Sequence, residues 1–161
     1  MRGHVNTIKK GYIQMEKGMA NLKTYLSQRQ TLFDTEDVLL FITTMIEVFA
    51  HLQKSDIAHR DIKPSNILLF SEDPLYFKVC DVGAGTAVNF CDYTKEMTVI
   101  GTPYYLSPEL FRAYRQKMNL VNYKVYKSDT YSLGLVFLEF CSLKKMEERL
   151  NREQDRVQVA I

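Results

Sequence analysis

The run His59-Arg60-Asp61-Ile62-Lys63-Pro64-Ser65-Asn66 and the later Asp81-Val82-Gly83 constrain this chain more than any other feature. What lies between them predicts a β-hairpin. Ile67 to Phe70 is a short apolar strand, Ser71-Glu72-Asp73-Pro74 a turn, and Tyr76 to Cys80 a returning strand rich in β-formers. A hairpin pairs its two open ends, so Asn66 and Asp81 are expected side by side, one amide oxygen and one carboxylate. These are the hard oxygen ligands that Mg²⁺ takes when substrate phosphates complete its shell. Asp61 stands one turn upstream as a candidate base, and the combination points to phosphoryl transfer. Singly, an Asp is usually a solvated turn residue and a Lys a surface charge; the order and spacing carry the reading.

In that order the residues resemble the eukaryotic protein kinases, through their catalytic loop and metal-binding signature. The resemblance implies an α+β fold: a kinase-like large lobe, mainly helical, with a short β-hairpin that carries the metal ligands. It makes Asp61 the acceptor of the substrate hydroxyl's proton, Lys63 a contact to the transferred phosphate, and Asn66 and Asp81 the Mg²⁺ ligands. His59 would pack under the loop, Arg60 would await a phosphate, and Leu68 would floor the adenine of ATP. The implied partners are ATP and a protein substrate. Lys63 and Thr102 match the Ser/Thr branch, in which both hydrogen-bond around the base. Ser65 falls where many kinases preferring basic substrates have a glutamate, so no acidic pocket for arginine is read there.

Two further runs extend the resemblance in the order the family requires. Gly101-Thr102-Pro103-Tyr104-Tyr105-Leu106-Ser107-Pro108-Glu109 resembles the end of an activation segment, with Ser107 in place of the more usual Ala. Thr98, three residues before Gly101, matches the main activation phosphosite, with Thr94 and Tyr93 as weaker candidates. Asp129-Thr130-Tyr131-Ser132-Leu133-Gly134 resembles the start of the central helix, whose first Asp holds the catalytic-loop backbone. Gly134 costs a helix about 1 kcal/mol against Ala, and close packing is the expected reason for it. Val82 replaces the family's usual Phe, which predicts a void or a rearranged neighbour beside Asp81.

Upstream, Tyr12 to Glu16 reads as a strand broken by Lys17-Gly18-Met19. The resemblance makes this the hinge between lobes, with Met15 as gatekeeper and the backbone of Glu16 to Gly18 facing adenine. Asn21 opens a brief helix to Leu26, where it either reaches the ribose or caps the helix. From Thr35 to Lys54, Val38, Ile42, Met45, Phe49 and Leu52 recur at helical spacing, with Asp34 or Thr35 as the cap. Leu143, Met146 and Leu150 give a charged tail a narrow apolar stripe.

A complete kinase also carries a glycine-rich loop, a strand lysine and a helix glutamate paired with it. None is identifiable here. Lys9 and Lys10 stand too close to Met15 to leave room for the intervening helix and strand. The expected partner of Glu109 is an Arg beyond the central helix, and none of Arg149, Arg152 and Arg156 can be assigned that role. The expected division is therefore residues 1–18 as the end of a small lobe and the hinge, and 19–161 as an incomplete large lobe. Two functions follow, a Ser/Thr protein kinase present as a partial catalytic domain, or a truncated interaction module without turnover.

Composition bounds rather than decides. At 161 residues and 46% hydrophobic, the chain can bury one core, and a net charge of +2 argues for neither nucleic acid nor a membrane surface. Three cysteines without metal spacing, Cys80, Cys91 and Cys141, fit free thiols in a reducing compartment. With no signal peptide and no apolar run of spanning length, the expectation is an intracellular, cytoplasmic protein.

Overall fold

The computed structural model describes residues 12, 14–87 and 95–146. Among them no helix is long and apolar enough to cross a membrane. Four helices and three small antiparallel sheets follow one another, an arrangement in keeping with a kinase-like fold.

Strand β1 (Ala20–Asn21) leads directly into helix α1 (Leu22–Gln28). The Asn21 side chain accepts a hydrogen bond from Thr24 N at 2.9 Å, which settles its local role as the helix cap. Helix α2 (Thr35–Lys54) is capped the same way, by Asp34 accepting from Asp37 N at 2.8 Å. Its fully buried residues are Phe41 and Met45, with Val38 and Phe49 packed beside them. The inward stripe therefore runs 38, 41, 45, 49, and Phe41 has a more central place than Ile42. Sequence spacing favoured Ile42 because positions 38, 41 and 42 all satisfy a helical repeat.

Strands β3 (Ile67–Glu72) and β4 (Leu75–Val79) form the expected hairpin, and β1 pairs with the outer edge of β3. The first pair of the register is Ile67 opposite Val79, and Cys80 N donates to Asn66 O at 2.9 Å, so the open end closes where the spacing placed it. A register shift between Leu69 and Ser71 leaves Phe70 as a bulge. One residue of alternation is thereby absorbed, and Leu69, Leu75 and Phe77 all stay buried.

The central helix, α4 (Val125–Ser142), begins four residues before Asp129, earlier than the sequence motif indicated. Phe140 is its anchor, stacked between Phe33 and Phe41 at ring separations of 4.0 Å each, while Phe77 of β4 meets Phe41 edge-on at 5.0 Å. These four rings join α2, α4 and the hairpin into one core. Aromatic pairs of this kind contribute roughly 0.5–1.5 kcal/mol beyond their buried area. Leu135 and Val136 are buried and Leu138 is half exposed, so the helix is enclosed on most sides but not all. A Cβ added at Gly134 would meet nothing within 4 Å, which corrects the expectation that close packing explains that glycine.

The remaining elements frame the site. Short β2 (Ile57–Ala58) pairs with β5 (Thr86–Ala87), and β6 (Lys95–Thr98) pairs with β7 (Leu120–Tyr123). Helix α3 (Pro108–Arg115) starts on a proline at its first position, where no backbone donor is needed. Its Leu110 and Ala113 join Ala58, Leu106, Tyr123 and Val125 in a second, smaller core.

The strand expected over Tyr12 to Glu16 is not formed: the described residues there have no regular structure, and Tyr12, Met15 and Glu16 are exposed. No neighbouring strand among the described residues pairs with them, and an isolated strand leaves its backbone groups to water. Residues 1–11, Ile13, Cys91, Tyr93, Thr94 and the stretch holding Arg149, Leu150, Arg152 and Arg156 lie outside the described residues, and so do Lys9 and Lys10.

Candidate active site

Two side chains on α4 and in the loop after β2 shape the catalytic loop. Asp129 is buried, and its two carboxylate oxygens accept from His59 N at 2.8 Å and Arg60 N at 2.9 Å. Burial pushes the Asp129 carboxyl above its ordinary range, and the two backbone donors act against that rise. Arg60 sits at φ 69°, in the left-handed region that non-glycine residues seldom adopt, and the Asp129 bond fixes it there. His59 is fully buried. Its Nε2 lies 3.1 Å from the carbonyl of Cys80, which can only accept, so that nitrogen carries the proton and Nδ1 is free to accept from Asp61 N at 3.3 Å. One imidazole thus ties Asp61 to the strand end that precedes Asp81.

Asp61 is held on both oxygens. Lys63 Nζ donates to Oδ2 at 2.6 Å, and Thr102 Oγ donates to Oδ1 at 2.8 Å while accepting from the same Lys63 at 2.8 Å. Asn66 Nδ2 donates to the Asp61 carbonyl at 2.8 Å and to Oδ2 at 3.3 Å. Burial raises the Asp61 pKa, but the hydrogen bonds from Lys63, Thr102 and Asn66 with the Lys63 charge outweigh it and hold the carboxyl below its ordinary value. Asp61 is therefore an anion at neutral pH, oriented from three sides. Thr102 reaches it because the chain turns at Gly101, φ 122°, where a Cβ would lie 2.7 Å from Leu106 and 3.0 Å from the Arg60 carbonyl.

Asn66 and Asp81 come together at the open end of the hairpin. With its Nδ2 used on Asp61, Asn66 has its Oδ1 left to offer a cation, and Asp81 adds an exposed carboxylate at φ 62°. This donor set, all oxygen and completed by phosphates, fits Mg²⁺. Val82 is 42% exposed, so the expected void from a missing ring is not buried here. Of the residues expected to form a hinge, Met15 is exposed and Gly18 lies against β3, where a Cβ would approach Leu68 Cβ and the Leu69 carbonyl at 3.2 Å each. Met19 N donates to Leu69 O at 2.8 Å and continues that docking. The Glu16 carboxylate is engaged by Lys78 of β4, which leaves the backbone as what this residue offers a ligand.

Arg60 extends in the opposite direction, to the activation segment. Its Nη2 donates to both Thr98 O and Thr98 Oγ1 at 2.8 Å, and its Nε is buried without a hydrogen-bond partner. A row of polar contacts that the sequence did not disclose then anchors the segment to α4. Ser132 Oγ donates to the Tyr105 carbonyl at 2.6 Å, Ser128 Oγ to Ser107 Oγ at 3.1 Å, and the Tyr105 hydroxyl to Glu139 at 2.7 Å. Burial, reinforced by the Glu139 carboxylate, raises the Tyr105 phenol far above its ordinary value and keeps it a donor. The available signal was Ser128, Ser132 and Glu139 recurring on one stripe of α4.

Comparison with known proteins gives the family. The family model described as "Protein kinase domain" matches residues 1–160. The chain is 33% identical over 126 residues to the mouse serine/threonine-protein kinase Nek9, covering 78% of this chain and 12% of that protein. It is 36% identical over 130 residues to the serine/threonine-protein kinase PrkC of Bacillus subtilis, covering 80% of this chain and 18% of that one. With an Aurora kinase of Encephalitozoon cuniculi it shares 32% over 155 residues, 94% of this chain and 52% of the relative. The chain belongs to the protein kinase family, on its serine/threonine side. It spans between about an eighth and about half of the length of these relatives.

Proposed function

We propose that this chain is the catalytic-loop part of a Ser/Thr protein kinase that transfers the γ-phosphate of ATP to a protein hydroxyl. The observation that carries the reading is the closed ring of Asp61, Lys63 and Thr102, with Asn66 bracing its carbonyl. Asp61 accepts the proton of the attacking hydroxyl, and Thr102 and Lys63 keep its carboxylate in one orientation. Lys63 also carries positive charge to the edge of the transferring phosphoryl group. Asn66 and Asp81 would hold Mg²⁺, which when bound would offset the charge of the phosphates. Leu68, Met15 and the backbone of Glu16 to Gly18 form the adenine side. Residues 1–18 read as the end of a small lobe and the hinge, and 19–161 as large lobe. Thr98 is proposed as a regulatory phosphosite, because Arg60 already donates to its hydroxyl and keeps one buried donor spare.

The test is a chimaera joining this chain to the small lobe of a relative. Asp61→Asn should remove most turnover with nucleotide binding nearly intact, since the base meets the hydroxyl and not ATP. Asp81→Asn should instead weaken Mg²⁺-dependent nucleotide binding and lower the rate by about a hundredfold or more. Near-normal turnover in Asp61→Asn would refute the assignment of the base.

A further inference from the structure

Beside the base lies a cleft of about 600 Å³, two of whose charges, Lys23 and Lys145, the transfer chemistry does not use. Lys63 and Ser65 line it from the catalytic loop, Thr102 and Tyr105 from the activation segment, and Glu139 from α4. Lys23 of α1 and Lys145, just past α4, complete its wall. Two of its charges are already spent. Lys63 is held between Asp61 and Thr102, and Glu139, 3% exposed, accepts the Tyr105 hydroxyl. Lys23 and Lys145 are both exposed, and neither has an ion-pair partner among the described residues. Ser65 adds a neutral hydroxyl to this wall.

We infer that this cleft receives an anionic side chain of the protein substrate, a carboxylate or a phosphate ester, within about three residues of the acceptor hydroxyl. The inference rests on the kinase reading, because Lys63 is common to the cleft and to the Asp61 ring. It limits distance as well as charge. An extended peptide advances roughly 3.3 Å per residue, so a side chain entering beside Lys63 belongs to a near neighbour of the residue whose hydroxyl meets Asp61. Two ammonium groups attract an anion there and repel a substrate arginine, so the cleft discriminates by exclusion as well as by attraction. Met146 and Pro64 supply apolar surface against which the methylenes of the bound side chain can lie.

Fluorescence anisotropy on the 161-residue chain tests this without requiring turnover. Labelled peptides with one serine acceptor carry Asp, phosphoserine, Ala or Arg at each of the three positions on either side. The expected result is tighter binding of the Asp and phosphoserine peptides than of Ala, at one or two positions, with Arg weakest. The double variant Lys23→Glu/Lys145→Glu should reduce that preference by about threefold to tenfold and shift it toward Arg. Both lysines are exposed, and a thermal melt identical to that of the parent verifies the fold of the variant. Raising the salt to 1 M should also flatten the preference, since the screening length falls to about 3 Å. The Asp and phosphoserine arms separate a carboxylate site from a phosphate site. Equal binding of all peptides, a preference for Arg, or a preference unmoved by the double variant would overturn the inference. The kinase reading would survive those results, because its own test is the Asp61 dependence of turnover in the chimaera; loss of both would sink both.

Discussion

At the scale of single residues, the site works by holding charges whose ionisation is decided by neighbours. Asp61 has its pKa lowered, with burial opposing and the Lys63, Thr102 and Asn66 hydrogen bonds prevailing. The sign follows from linkage. A carboxyl depressed in the fold contributes stability that is present above its unfolded pKa, about 3.9, and is lost as pH falls through the folded value. The stability gap between the parent chain and Asp61→Asn should therefore stay constant from about pH 8 to pH 5 and narrow only in stronger acid. Urea titrations across that range measure it; a gap that closed near pH 6 would contradict the ring. Gly134 permits a second expectation at this scale. With open space at its Cβ position inside α4, Gly134→Ala removes the glycine's backbone entropy cost and meets no clash. A gain of about 0.5–1 kcal/mol in unfolding free energy is expected, and a loss would reveal a contact made only in solution.

Among the elements, the hairpin was the most legible from sequence and the segment expected as a hinge the least. Ile67–Glu72 and Leu75–Val79 are β-rich runs around a polar turn, and local preference and long-range pairing agree there. Tyr12 to Glu16 also holds β-formers but meets no partner strand among the described residues, so propensity had nothing to act on there. The polar stripe of α4 was hidden for a different reason. Tyr105 and Glu139 are distant in sequence and meet only after α4 and the activation segment dock. Strand β6 and its partner β7 were also unread, although they present Thr98 to Arg60. This pairing gives the phosphosite proposal an element-level consequence. A phosphate on Thr98 would add charge-assisted hydrogen bonds from Arg60 and lock β6 against the catalytic loop. Thr98→Ala should lower the activity of the chimaera by about tenfold or more, while Asp61-dependent turnover remains. Mass spectrometry of the active, purified protein should find Thr98 phosphorylated; an unmodified Thr98 in fully active protein would remove the proposal.

For the molecule as a whole, the placement of charge outweighs its amount. Net charge is only +2, yet the fold brings together Asp61, proposed as the base, Lys63 beside it, and Asn66, proposed with Asp81 as a Mg²⁺ ligand. The sequence contains no glycine-rich run of the kind that covers ATP phosphates. Phosphoryl transfer depends on positioning and on electrostatic stabilisation from several sides, so the geometry of these residues supplies part of a clamp. Leu32, Leu39 and Ile46 are more than half exposed, apolar surface of the sort that neighbouring elements or partners cover. The 161 residues expressed alone should accordingly bind ATP weakly, tend to associate or need a partner for solubility, and incorporate no measurable phosphate into a protein substrate. A radiolabelled-ATP assay beside the Asp61→Asn control decides this. Incorporation that depends on Asp61 in these residues alone would show that the Asp61 ring and the proposed metal ligands suffice for turnover without a glycine-rich cover.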